Sequence, residues 1–130
     1  MKYAYTILYV SDVAKTISFY KAAFGFSEKF ITPEQDYGEL VTGETTIAFA
    51  SFELGKSNFP QGFQKTSNEA VPFGIELAFV TENIEQDFAK ALDAGATEFI
   101  AVNEKPWGQK VGYLRDINGF LIEICTPVKQ

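Results

Sequence analysis

Two glutamates, one cysteine and a run of aromatic residues carry whatever chemistry this 130-residue chain performs, because it contains no histidine. Glu76 opens the alternating run ELAFV, and Glu123 lies inside FLIEICT with Cys125 two residues on. Successive side chains of a strand point to opposite faces, so Glu76, Ala78 and Val80 oppose Ile75, Leu77 and Phe79. By the same rule Leu121, Glu123 and Cys125 oppose Phe120, Ile122 and Ile124, and the large apolar face is expected to meet a helix. The two carboxylates then look the same way. Such groups can receive a cation or a hydrogen-bond donor, or act as general acid and base, with Glu123 as the candidate catalytic residue. In the plainer alternative each carboxylate only bonds a neighbouring tyrosine or backbone amide. Trp107, Gln109, Val111 and Tyr113 share one parity on another strand and offer an aromatic wall with polar groups, as small-molecule sites require. Equally, Trp107 can plug the end of its module after Pro106. Cys125, among apolar strand neighbours and without a basic partner, reads as a core thiol.

The elements that position these residues are written twice. Tyr5 to Gly25 reads YTILYVSDVAKTISFYKAAFG, and Glu76 to Gly95 reads ELAFVTENIEQDFAKALDAG, an offset of 71 residues that relates Tyr5 to Glu76 and Asp12 to Asn83. Each copy is an alternating strand, an Asx N-cap, an amphipathic helix and a terminal glycine. Self-similarity of this kind decides the fold. In the first copy Leu8 and Val10 face the helix, while Tyr5, Ile7 and Tyr9 face away. Three more strands are expected at 26–32, 37–42 and 45–51, where Ile47 and Phe49 face the helix and Ala48 and Ala50 do not. The second copy continues with strands at 97–102, 109–115 and 120–126. Each module is β-α-β-β-β: module one spans 1–51 and module two 74–130. Between them, 52–73 loses its periodicity and is rich in Gly, Ser, Asn and Pro, which predicts a long linker that serves as a lid or packs into a dimer seam through Phe52, Phe59, Phe63 and Phe73.

Composition narrows the function classes. With 46% apolar residues and thirteen phenylalanines the chain has material for one ordinary domain core. Seventeen acidic against eleven basic residues leave a net charge of −6, with the lysines scattered, which opposes nucleic-acid binding. A negative field favours cationic small molecules, although acidity also serves solubility alone. A single cysteine excludes an internal disulfide and fits a reducing compartment. The N-terminal apolar run is too short for a signal peptide and nothing reaches membrane-spanning length, so a cytoplasmic protein with no membrane partner is expected.

YVSDVAKTISFYKAAFGF at 9–26 and KPWGQKVGYLRDINGFLIEI at 105–124 resemble the opening and closing signatures of the vicinal oxygen chelate superfamily. That superfamily includes glyoxalase I, extradiol dioxygenases and bleomycin-resistance proteins, and the resemblance covers nearly the whole chain. It implies an α+β fold, with two tandem β-α-β-β-β modules forming a cupped mixed sheet around a cavity. It places the faces bearing Trp107, Gln109 and Tyr113, and those of Tyr5, Tyr9 and Tyr37, towards that cavity. Metal-dependent relatives hold their ion with one residue on the first and one on the last strand of each module. Here those positions are Tyr5, Ala48, Glu76 and Glu123, and alanine offers no ligand. The resemblance therefore implies metal-independent binding of a small aromatic or cationic molecule by Tyr5, Ala48, Glu76, Trp107, Gln109, Tyr113 and Glu123, with no cofactor. The alternatives are a divalent ion held weakly by Glu76 and Glu123, or a glyoxalase-like lyase with an atypical metal site or a Glu123 acid–base. Relatives frequently dimerise, so a homodimer is expected.

Overall fold

The computed structural model describes residues 1–128, which fall into two compact units that divide between Lys65 and Thr66. Its elements are β1 (Tyr5–Val10), α1 (Val13–Phe24), β2 (Ser27–Ile31), β3 (Tyr37–Val41), β4 (Thr46–Ser51), α2 (Phe52–Asn58), β5 (Glu76–Val80), α3 (Ile84–Ala94), β6 (Thr97–Glu104), β7 (Lys110–Arg115) and β8 (Leu121–Cys125). The α+β class and the two tandem modules are those read from the repeat. Each unit has a four-stranded mixed sheet, ordered β1-β4-β3-β2 in the first and β5-β8-β7-β6 in the second. In both, the first and last strands pair in parallel and the remaining neighbours are antiparallel.

The helices pack through the faces that periodicity predicts. In the first unit Tyr20 is fully buried, with its ring 4.8 Å from Phe49 and 5.2 Å from Phe24, and Leu8, Val10, Val13 and Ile17 complete the core. In the second, Ile84, Phe88 and Ala91 of α3 are buried together with Leu114, Ile122 and Ile124 of the sheet. The third strand of each unit carries a glycine where the helix approaches most closely. A β-carbon on Gly38 would lie 2.4 Å from Ile17 Cδ1, and one on Gly112 would lie 2.7 Å from Phe88 Cε2. Ile17 and Phe88 are equivalent in the repeat, so both units use the same notch to seat the helix.

Two local features differ from the sequence reading. Residues 52–58 form a helix rather than irregular chain, because the Ser51 side chain caps the Leu54 amide at 3.1 Å and the segment packs on Tyr9. Phe59 and Phe63 stand 5.5 and 5.3 Å from the Tyr9 ring, and Gly55 leaves the room those rings need. Asn83 is the N-cap residue of α3 but its side chain does not cap it. Thr81 takes that work instead: its hydroxyl accepts from the Asn83 amide and donates to the Asp87 carboxylate. No helix among the described residues is long and apolar enough to cross a membrane.

The notches lead to a measurable coupling. Gly38→Ala should destabilise the protein by about 1–3 kcal/mol, as overpacking does, and Ile17→Val by roughly 0.5–1.5 kcal/mol. The double variant removes the clashing Cδ1, so its loss should fall short of the sum by about 1 kcal/mol. Urea unfolding of the four proteins checks this, and strict additivity would show that the notch does not seat Ile17.

Candidate functional site

The sheet face turned away from the helix gathers the candidate residues of each unit. In the second unit, Glu76 pairs in register with Leu121, and Ala78 with Glu123, so the two glutamates sit diagonally across β5 and β8 on one face. Tyr113 of β7 is directly opposite Glu123, and Cys125 follows two residues along β8. Burial first, then the neighbouring Glu123 through hydrogen bonding and charge, push the Glu76 carboxyl up from the usual 4.5 to about 7. A second negative charge beside Glu123 is repulsive, so the Glu76 carboxyl takes up a proton close to neutral pH. Burial and the same two glutamates raise the Tyr113 phenol, which is therefore a neutral donor beside the pair. Burial, with the Glu123 hydrogen bond, pushes the Cys125 thiol up to about 11, which keeps it protonated and inert at neutral pH.

Arg115 shares this face by register but is fully engaged elsewhere. Its guanidinium donates twice to the Gly119 carbonyl and once each to those of Ser67, Asn68 and Ala70, at 2.7–3.4 Å. All five N–H donors are thus spent on backbone oxygens. Arg115 therefore supplies no charge to Glu76, and the raised Glu76 carboxyl takes up a proton more readily instead.

In the first unit Tyr5 and Ala48 hold the diagonal that Glu76 and Glu123 hold in the second, because Tyr5 pairs with Thr46 and Ile7 with Ala48. Ala48 is fully buried and has no polar atom, while Tyr5 is half exposed. Of the four positions both acids lie in the second unit, but the first unit brings a further acid to this face, one that the sequence analysis does not single out. Glu39 of β3 lies directly opposite Ala48 on the same face and is only 7% exposed. The Tyr37 hydroxyl donates to its Oε2 at 2.6 Å, and Lys29, at a register shift in β2, approaches its Oε1 at 3.6 Å. Burial and Glu39 raise the Tyr37 phenol, with Tyr5 adding to the effect. The alternation that turned Tyr37 towards this face was the signal for Glu39, two residues later.

Trp107 and Gln109 do not join either group. β7 begins at Lys110, so the parity argument stops short of Trp107, which sits in the β6–β7 turn before Gly108 at φ 91°. The Trp107 indole N–H donates to the Gln109 side-chain oxygen at 2.8 Å, and the Gln109 amide nitrogen donates to the Thr126 carbonyl at 2.8 Å. Both residues line a cavity at the end of the second sheet whose lining includes none of Glu76, Tyr113 and Glu123.

The donor set does not fit a transition-metal centre of the kind that metal-dependent relatives hold. Of the four positions, Ala48 offers no ligand, Tyr5 offers a phenol, and only Glu76 and Glu123 offer carboxyl groups. Among the described residues no group of three or more His, Cys, Asp or Glu side chains is placed to hold an ion. What the faces do offer is hydrogen-bond acceptors of adjustable charge beside phenolic donors.

Comparison with known proteins adds a family to this geometry. A family model described as a glyoxalase-like domain matches residues 3–129. An uncharacterised protein of Mycobacterium bovis is 32% identical over 132 residues, covering 95% of this chain and 82% of that protein. A virulence protein of Salmonella typhimurium is 30% identical over 131 residues, covering 94% of this chain and 81% of its own. Among solved structures, a glyoxalase/bleomycin resistance protein/dioxygenase family enzyme from Burkholderia phytofirmans superposes with a TM-score of 0.82 at 24% identity, over 97% of this chain and 98% of that one. A glyoxalase-related enzyme from Fulvimarina pelagi gives 0.81 at 18% identity, over 98% and 88%. These likenesses establish the fold.

The raised Glu76 carboxyl makes stability depend on pH. Because folding raises the Glu76 pKa from 4.5 to about 7, the native state binds more protons than the unfolded chain across that window, and stability falls as pH rises through it. The full shift corresponds to about 3 kcal/mol, and solvent screening of this largely exposed carboxyl reduces it to about 1 kcal/mol. The melting temperature should therefore drop by roughly 3–5 °C between pH 5 and pH 8, and Glu76→Gln should flatten the profile. An unchanged slope in that variant would remove Glu76 as its origin.

Proposed function

The chain belongs to the glyoxalase-like domain family, and from that premise we propose that it binds a small aromatic or cationic molecule without metal, holding it rather than transforming it, as bleomycin-resistance proteins do. The observation that carries this reading is the strand register, which sets Glu76 and Glu123 diagonally across β5 and β8 with Tyr113 directly opposite Glu123, all on one sheet face. A planar cation bound there loses little hydration and supplies the positive charge that lets both carboxyls ionise. The −6 net charge of the chain raises the local concentration of such a ligand. The lack of a ligand at Ala48 argues against metal-assisted lyase chemistry. A homodimer is supported by the edge strand β6, where Phe99 and Ile100 are each 47% exposed.

One observation favours a second reading. A carboxyl near 7 can both take and return a proton at neutral pH, so the pair could serve as a metal-free acid–base. The sequence reading gave that role to Glu123. The raised pKa gives the proton-carrying role to Glu76, with Glu123 as its partner.

Calorimetric titration with N-methylquinolinium tests binding. Affinity should be about tenfold higher at pH 8 than at pH 5.5, because the second carboxyl is ionised only at the higher pH. Glu76→Gln and Glu123→Gln should each weaken it about tenfold. Full affinity in Glu123→Gln would dismiss the carboxylate pair as the site, and a stoichiometric transition metal in freshly purified protein would sink the metal-free account.

A further inference from the structure

The cavity at the end of the second sheet, about 550 Å³, has no part in that reading and has a chemistry of its own. It lies where β6 turns into β7 and α3 begins. Trp107 forms one wall, Ile84 and Pro127 provide apolar surface, and Glu82, Glu85, Glu104 and Lys110 supply the charge. Three carboxylates face one ammonium, an excess of two negative charges. Lys110 is held by Glu85 at 2.8 Å and also feels the Glu104 charge, so one ammonium is divided among the carboxylates and the rim keeps its negative excess.

Trp107 is 62% exposed, yet it is not loose. Its N–H is satisfied by Gln109, and Gln109 is in turn fixed to the backbone carbonyl of Thr126. The indole is thereby tied through two 2.8 Å bonds to the chain just after β8, so its ring is pre-positioned and its only polar group is already used. A ligand meeting this ring therefore gains from the π-face and pays little ordering entropy.

An anchored indole, an apolar floor and an anionic rim select a particular cation. A primary ammonium needs three acceptors to replace its hydration, whereas a quaternary ammonium has no N–H, is weakly hydrated and spreads its charge over methyl groups that pack on aromatic and apolar surface. We infer that this cavity binds a small quaternary ammonium compound, at a site distinct from the Glu76–Glu123 face.

Trp107 is the chain's only tryptophan, so it reports directly. Choline titrated into the intact protein should quench its fluorescence saturably and shift its single indole N–H resonance, with half-saturation at millimolar concentration or below. The uncharged analogue of the same shape, 3,3-dimethylbutan-1-ol, should bind at least tenfold more weakly. The exposed substitutions Glu82→Gln and Glu104→Gln, combined, should weaken choline at least tenfold with an unchanged far-UV circular dichroism spectrum. Trp107→Leu should abolish binding by calorimetry, and Trp107→Phe should keep part of it. Choline binding in Glu123→Gln should equal that of the parent protein, which separates this site from the carboxylate face. The proposal is overturned by the absence of a saturable response to choline, by an equal response to the alcohol, or by loss of the response in Glu123→Gln.

Discussion

The arrangement of both units depends on one steric constraint, the glycine notch on the third strand. Ile17 enters the space above Gly38, and its repeat equivalent Phe88 enters the space above Gly112. Neither glycine has a positive φ, so each is required by the closeness of the helix and not by backbone conformation. Once a helix is seated there, one face of the sheet is used up. The residue after each glycine, Glu39 in the first unit and Tyr113 in the second, must then turn to the other face, directly opposite Ala48 and Glu123 respectively. The packing that stabilises the fold therefore also aims the chemistry.

The two copies have diverged on that outward face while retaining the register that produces it. In the second unit the carboxylate is on the last strand and the phenol on the third. The first unit places the carboxylate on the third strand, opposite a small residue on the last. The environments differ accordingly. Glu39 is buried against a phenol and a lysine, whereas Glu76 has another carboxyl, Glu123, as its neighbour. The Glu76 carboxyl is raised to about 7, so the second unit holds a charge that changes near neutral pH.

Much of this was legible in the sequence because strand alternation and helix periodicity are strong signals when written twice. The eight strands, α1, α3 and the common direction of Glu76 and Glu123 all follow from local patterns. What was not legible depends on neighbours brought in from outside the local window. Helix α2 is nucleated by Ser51 and held by the rings of Tyr9, Phe59 and Phe63, a tertiary contact that overrides a composition typical of loops. Glu39 was readable from its parity with Tyr37, but its burial and its pairing with Lys29 depend on a register shift in β2 that no periodicity reports. Trp107 shares the parity of Tyr113 in the sequence, but Gly108 at φ 91° breaks the alternation and leaves Trp107 in the turn before β7.

The carboxylate pair is where local consistency fails, and the failure bears on function. A glutamine at position 76 could keep a hydrogen bond to Glu123 without the repulsion, so the folded state has no structural need for a second acid there. Nor is the charge rescued by the one arginine on that face, because Arg115 is committed to fastening residues 67–70 to the β7–β8 turn. A sequence selected for stability alone removes such conflicts, and those that persist concentrate at working sites. The pair is destabilising in the free protein above neutral pH and is relieved by anything that brings positive charge or a donor to it. That relief is a binding energy a ligand could draw on, and it is the reason the proposed site is put on the face bearing Glu76, Tyr113 and Glu123.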